Sequence, residues 1–249
     1  MVKALDSQST AHAGTAPAKI KNHAIHLLRK TNSNTLYPLI LQLCSHENIT
    51  AQEVGAICLT DFYLSQSSEV NRVLYRLADS DNWEVREWVA SACGLILEKH
   101  FHDYFPVMEE WSKDVSENIR RAVVLAMMYA GKSRDPDFIE PFLNIVEHLL
   151  SDRSRYVRDN LGPFAIGSAL IKYYPAQVLK RLDSWVNDED EQVRWNIAMI
   201  FSAAEGVKFA DESQHVFDIL SSDERPYVKK AVNRAIKNIN KRKSGSSSI

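Results

Sequence analysis

Apolar positions in this chain recur in a pattern written five times. A large apolar residue is followed eight positions later by Val or Ile, then at once by a basic residue, and four positions after the Val by another aliphatic. The Val85-Arg86 step returns as Ile119-Arg120, Val157-Arg158, Val193-Arg194 and Val228-Lys229, at intervals of 34, 38, 36 and 35 residues. The aliphatics that follow are Val89, Val123, Leu161, Ile197 and Val232, and the bulky residues that precede are Leu77, Trp111, Leu149, Trp185 and Leu220. Apolar residues at i and i+4 draw one stripe along a helix. A repeat of this period is that of stacked helix pairs, which bury their apolar faces only against neighbours. Between the bulky residue and the Val stands an Asp: Asp79 and Asp81, Asp114, Asp152, Asp188 and Asp190, Asp223. One helix therefore ends on the bulky residue, the Asp sits in the turn, and a second helix starts near the Val-basic step.

The rest of the chain fits the same rhythm. Residues 1–16 are small and polar and are expected to be disordered. Pro17 can open a helix to about Lys30, followed by a short one over Leu36–Cys44. Thr50 with Glu53 reads as a capping box before a helix over Ala51–Leu64, and Ser67-Ser68 starts Glu69–Ala78. The repeats proper predict His100–Lys113 with Glu117–Ala130, Pro136–Leu150 with Ser154–Tyr174, Pro175–Val186 with Glu191–Ala204, and His215–Leu220 with Pro226–Asn240. Gly162-Pro163 should kink or break its helix, because Pro lacks the N–H and crowds the preceding turn. Residues 242–249 are expected to form a flexible tail after a solenoid spanning 17–241.

Composition changes this picture little. Eight Gly and eight Pro in 249 residues suit a mostly helical chain. Cys44, Cys58 and Cys93 are far apart in apolar surroundings and read as reduced core thiols of a cytoplasmic protein. No metal-type spacing, Gly-rich phosphate loop or Ser or Cys nucleophile arrangement is written, so no metal and no cofactor are expected. No apolar run is long enough for a membrane span. The net charge of −2 is unevenly laid out: Arg225–Lys243 carries eight basic residues and no acidic one, which suits a polyanion or a solvated face.

On each second helix the positions two before and two after the Val point away from the core stripe. They carry Trp83, and then Glu87, Arg121, Asp159, Trp195 and Lys230. Two indoles with carboxylates and cations are chemically richer than a spacer needs. The Val-Arg pattern with its turn Asp resembles the HEAT repeat, in which turn Asp and helix Arg form a ladder along an α-α superhelix. The implied fold is an all-α, HEAT/armadillo-type solenoid of about six helix pairs.

Trp83 with Glu87 one turn on, Asn118-Ile119-Arg120-Arg121-Ala122, and Tyr156-Val157-Arg158 resemble more closely the HEAT-like-repeat DNA alkylation repair family, over roughly residues 17–240. Its active members are alkylpurine DNA glycosylases. The resemblance implies that Trp83 contacts a cationic damaged nucleotide and that Glu87 is the catalytic acid, stabilising an oxocarbenium-like transition state. Arg121 contacts the nucleotide or its phosphate, with Arg120 as the alternate phosphate ligand. Arg155, Lys229, Lys230 and Arg234 complete the expected phosphate contacts. Active members carry Asp where this chain has Glu87, and a second Trp where it reads Leu161-Gly162-Pro163-Phe164; Phe164 or Trp195 would have to substitute.

Three functions remain open from sequence: a binder of double-stranded DNA that excises alkylpurines, a binder of unusual DNA structures without catalysis, and a HEAT scaffold whose concave groove takes a protein. Phosphate contacts release counterions, so the first two predict a salt-sensitive DNA affinity.

Overall fold

A computed structural model describes residues 14–31 and 33–246. Among them all regular structure is helical. The chain divides into two compact units, Met1–Ala126 and Met127–Ile249.

The first unit begins with α1 (Ala18–Arg29), α2 (Ser33–Cys44) and α3 (Ile49–Leu59), with α3 packed on both. Then come α4 (Tyr63–Ala78), α5 (Trp83–Lys99), α6 (Phe101–Trp111) and α7 (Glu117–Ala130), the last of which contains the division between units. Val85, Val89, Ile119 and Val123 are fully buried, and Leu77 and Trp111 nearly so, as the stripe requires. The second unit holds α8 (Pro136–Leu149), α9 (Arg155–Asn160), a π-helical stretch over Leu161–Leu170, α10 (Ile171–Tyr173), α11 (Pro175–Trp185), α12 (Glu191–Ile200), α13 (Gln214–Ser221) and α14 (Pro226–Ser246). Val157, Leu161, Val193, Ile197, Val228 and Val232 form its core stripe. This is the all-α repeat solenoid that the periodicity predicts.

One device sets every turn. Counting from the Val or Ile, the side chain at −5 accepts the backbone N–H of residue −3. Asp114 takes Ser116 N at 2.7 Å, Asp152 takes Ser154 N and Asp188 takes Asp190 N at 2.8 Å, and Asp223 takes Arg225 N at 3.0 Å; Ser80 does the same for Asn82. Residue −3 then caps the helix. Asn82, Ser154 and Asp190 each accept two of its first N–H groups, and Ser116 accepts Asn118 N. The fifth turn has Arg225 at the cap position, which cannot accept, and Pro226 next, which has no N–H to satisfy. The Arg of the Val-Arg step ties the same turn. Arg86, Arg120 and Arg194 donate to the carbonyl at −5 of their own turn, Ser80, Asp114 and Asp188. Arg194 additionally reaches the Asp223 carboxylate at 2.9 Å.

Several boundaries depart from expectation. The N-cap of α3 is Asn48, accepting Ala51 N, and not Thr50. Thr50 Oγ1 instead accepts Ala16 N, and Thr15 and Ala16 are buried, so 14–16 belong to the packed structure; 1–13 lie outside the described residues. Helix α4 starts at Tyr63 and bends at Gln66 (φ −142°, ψ 37°), its fourth residue, just before the predicted Ser67. Gly162-Pro163 does not break its helix. Pro163 removes the N–H that α-helical bonding would use, and the backbone widens into the π stretch, with Ser168 Oγ donating to the Pro163 carbonyl at 2.8 Å. Helix α12 stops at Ile200, four residues early, whereas α14 continues through the predicted tail to Ser246; 247–249 lie outside the described residues.

Candidate functional site

In the first unit, Trp83 is the first residue of α5. The Asn82 cap fixes the start of that helix, and the buried Val85 fixes its rotation, so Trp83 turns outward and is 48% exposed. Glu87 follows one turn later on the same face. Its carboxylate is bonded by Arg121 Nη2 of α7 at 2.8 Å. Arg121 itself is only 8% exposed. Two of the expected site residues, Trp83 and Glu87, are thus brought together, with the third behind them. Arg121 is buried beneath the Glu87 carboxylate. The alternate, Arg120, donates from Nη1 to the Asp114 and Val115 carbonyls at 2.7 and 3.0 Å.

A buried ion pair adjoins the same helix and is not readable from sequence. Lys21 of α1 stands 2.7 Å from Glu53 of α3, with both side chains almost wholly buried. Lys21 Nζ also donates to Thr15 Oγ1, lies 3.8 Å from Glu84 and sits 4.8 Å from the centre of the Trp88 ring. Glu84 and Trp88 flank Trp83 and Glu87 in sequence, so this pair ties α1 and α3 to the helix that carries the candidate site. Burial pushes the Glu53 carboxyl up to about 7, against the opposing pull of the Lys21 ammonium. The three thiols are buried and free, and burial raises each to about 12, so they are inert core groups.

In the second unit, Trp195 of α12 lies against Tyr227 of α14, ring centres 5.7 Å apart and planes within 9°. Arg158 breaks the rule of the other Val-Arg arginines. It leaves its own turn and donates to Tyr227 Oη at 2.5 Å, with its guanidinium carbon 5.2 Å from the Trp195 ring centre and 5.3 Å from that of Tyr227. Tyr227 Oη in turn donates to Gln192 Oε1 at 2.9 Å. Phe164 projects from the π stretch, 54% exposed. Of the expected phosphate ligands, Arg155 is exposed and pairs with Asp159 at 3.2 Å, Lys229 pairs with Glu224, and Lys230 and Arg234 are exposed.

A family model described as DNA alkylation repair enzyme matches residues 8–174. The crystal structure of AlkD2 from Streptococcus mutans is similar with a TM-score of 0.64 at 20% identity, covering 79% of this chain and 95% of that one. That of smu.31 from Streptococcus mutans UA159 gives 0.57 at 21% identity, covering 70% and 88%. No curated protein sequence matches the chain.

Proposed function

Because the chain belongs to the DNA alkylation repair enzyme family, we propose that it binds double-stranded DNA and receives a cationic alkylpurine nucleotide against Trp83. The observation that carries the reading is the half-exposed indole with a carboxylate one turn along the same helix. An indole face attracts a cation through its quadrupole by about 0.5–2 kcal/mol, depending on how far water is excluded. Glu87 adds a full negative charge beside it. That carboxylate is held in place by Arg121, so it is positioned before any ligand arrives.

The same placement supports excision. Departure of a positively charged base leaves positive charge on the sugar, and a fixed anion there lowers the barrier. Arg121 offsets part of that charge, which limits the stabilisation and favours recognition over rapid turnover. Exposed Arg155, Lys230 and Arg234 supply phosphate contacts in the second unit.

The test is a titration of normal and N3- or N7-methylpurine duplexes at two salt concentrations, with free base assayed in parallel. Binding should weaken with salt and favour the alkylated duplex, and Trp83→Ala should remove that preference. Salt-independent or undetectable binding to both duplexes would leave the protein-scaffold reading instead.

A further inference from the structure

Helix α14 carries a line of cations, of which the reading above assigns only Lys230 and Arg234 to phosphate. Lys230, Arg234, Lys237 and Lys241 are spaced four, three and four residues apart, which places them on one face. All four are exposed, and none has an ion pair among the described residues, unlike Lys229 with Glu224 and Lys243 with Asp211. At 1.5 Å per residue the line is about 16 Å long. Its first member, Lys230, lies three residues beyond Tyr227, so the cationic line starts beside the Trp195–Tyr227 stack.

That stack is short of acceptors. Gln192 is 2% exposed and its Nε2 has no hydrogen-bond partner. Arg158 Nε is likewise buried without one, although Asp159 Oδ1 stands 3.5 Å away. A Gln192 donor with no partner among the described residues, and an Arg158 Nε answered only by the long contact to Asp159, are costly for a cluster whose role is packing alone. They leave the edge of the stack electropositive.

The contrast with Trp83 sets the ligand. Trp83 has a carboxylate beside it and suits a cationic ring. Trp195 has a guanidinium against its face, which repels a cationic ring and draws electron density from the indole. It suits an uncharged base with its phosphate directed to cations. We infer that the Trp195–Tyr227 stack and the Lys230–Lys241 line form a second nucleic-acid site, which takes an unpaired stretch of DNA strand by stacking a neutral base and tracking its backbone. Stacking platforms joined to cationic grooves bind single strands in this way, over sites of about 4–16 nucleotides. The inference rests on the DNA-binding reading for the identity of the polyanion, but its stacking platform, Trp195 with Tyr227, is separate from Trp83 and Glu87.

The experiment uses the full chain and an oligo-dT probe with one central 2-aminopurine, whose fluorescence is quenched when the base stacks. The same probe paired with its complement serves as the second arm. Quenching should be strong with the single strand and weak with the duplex. Trp195→Leu should abolish the quench and weaken binding about tenfold. The double substitution Lys230→Glu and Lys237→Glu should weaken binding and lower the salt slope by about two, one per lost phosphate contact. If the unaltered protein binds the duplex but leaves the single-strand probe unquenched, the second site is wrong and the DNA reading stands. If it binds neither probe, both fall. Equal quench in Trp195→Leu with unchanged helix content would also overturn the site.

Discussion

Removing the Lys21 ammonium gives the most quantitative test of how the first unit is held together. In the native protein Glu53 has its carboxyl raised from 4.5 to about 7. A raised carboxyl favours the folded state only while it is protonated. That contribution is fully present below pH 4.5 and is lost as pH rises through about 7. The loss is 2.5 units, or roughly 3 kcal/mol at about 1.4 kcal/mol per unit. Above pH 7 Glu53 is ionised in both states and its contribution is flat. Lys21→Met removes the cation 2.7 Å away and leaves the carboxylate in an apolar site. Glu53 then keeps its proton in the folded state at every working pH. From pH 7 upward the unfolded chain has lost that proton and the folded one has not. The variant should therefore lose about 1.4 kcal/mol per pH unit relative to the unaltered protein, levelling at about 3–5 kcal/mol, where a broken buried pair becomes the cheaper state. Below pH 6 the two should differ by only about 1 kcal/mol for the lost hydrogen bonds. Urea titrations followed by circular dichroism from pH 5 to 9 measure the difference. Hydrogen exchange of the α1 amides should accompany them, because two compact units need not unfold together. The double variant Lys21→Met, Glu53→Met should lose the slope and regain most of the stability. A stability difference that stays constant from pH 6 to 9 would refute the reasoning.

Three further outcomes are expected. Arg121→Gln should leave the salt slope of DNA binding unchanged and raise the preference for an alkylated duplex, because Arg121 is buried against Glu87; a slope lower by about one would make it a phosphate ligand after all. Gly162→Ala should destabilise by about 1–3 kcal/mol in a denaturant titration, since a Cβ there would lie 2.7 Å from the Asn196 carbonyl oxygen. Asp223 is held well below the usual carboxylate range by its bonds from Arg225 and then Arg194. Its stabilisation is present above the ordinary carboxylate pKa and lost as pH falls below it, so Asp223→Asn should cost about 2 kcal/mol at pH 7 and much less in acid, where melting temperatures should converge.

The solenoid was legible because its two determinants are local and repeated: the aliphatic pair one turn apart, and the turn with its acid. Trp83 and Glu87 were legible for the same reason, since both are placed by the register of Val85 within one helix. Residues whose role depends on a distant partner were not. Arg121 occupies the same outward position as Glu87, yet the carboxylate of the preceding repeat draws it down out of solvent. Arg158 looks like its counterparts at 86, 120 and 194, and is redirected by a tyrosine 69 positions away. Thr50 and Glu53 have capping-box spacing, but both are claimed by Thr15–Lys21, leaving Asn48 to cap. The line from Lys230 to Lys241 was readable in spacing, although its relation to Trp195 required the packing of α14 on α12.

The doubly bonded turn has a consequence for how such a chain can change. The hydrogen-bonding side chain stands five positions before the Val or Ile in every copy, while the full repeat length drifts between 34 and 38. Gained or lost residues have thus fallen elsewhere in the repeat and never inside the clamp. Each copy behaves as a cassette whose reading frame restarts at its own turn. An outward residue such as Glu87, Asp159 or Trp195 can then be exchanged for another chemistry without shifting the buried stripe behind it, and new binding specificity can arise one cassette at a time.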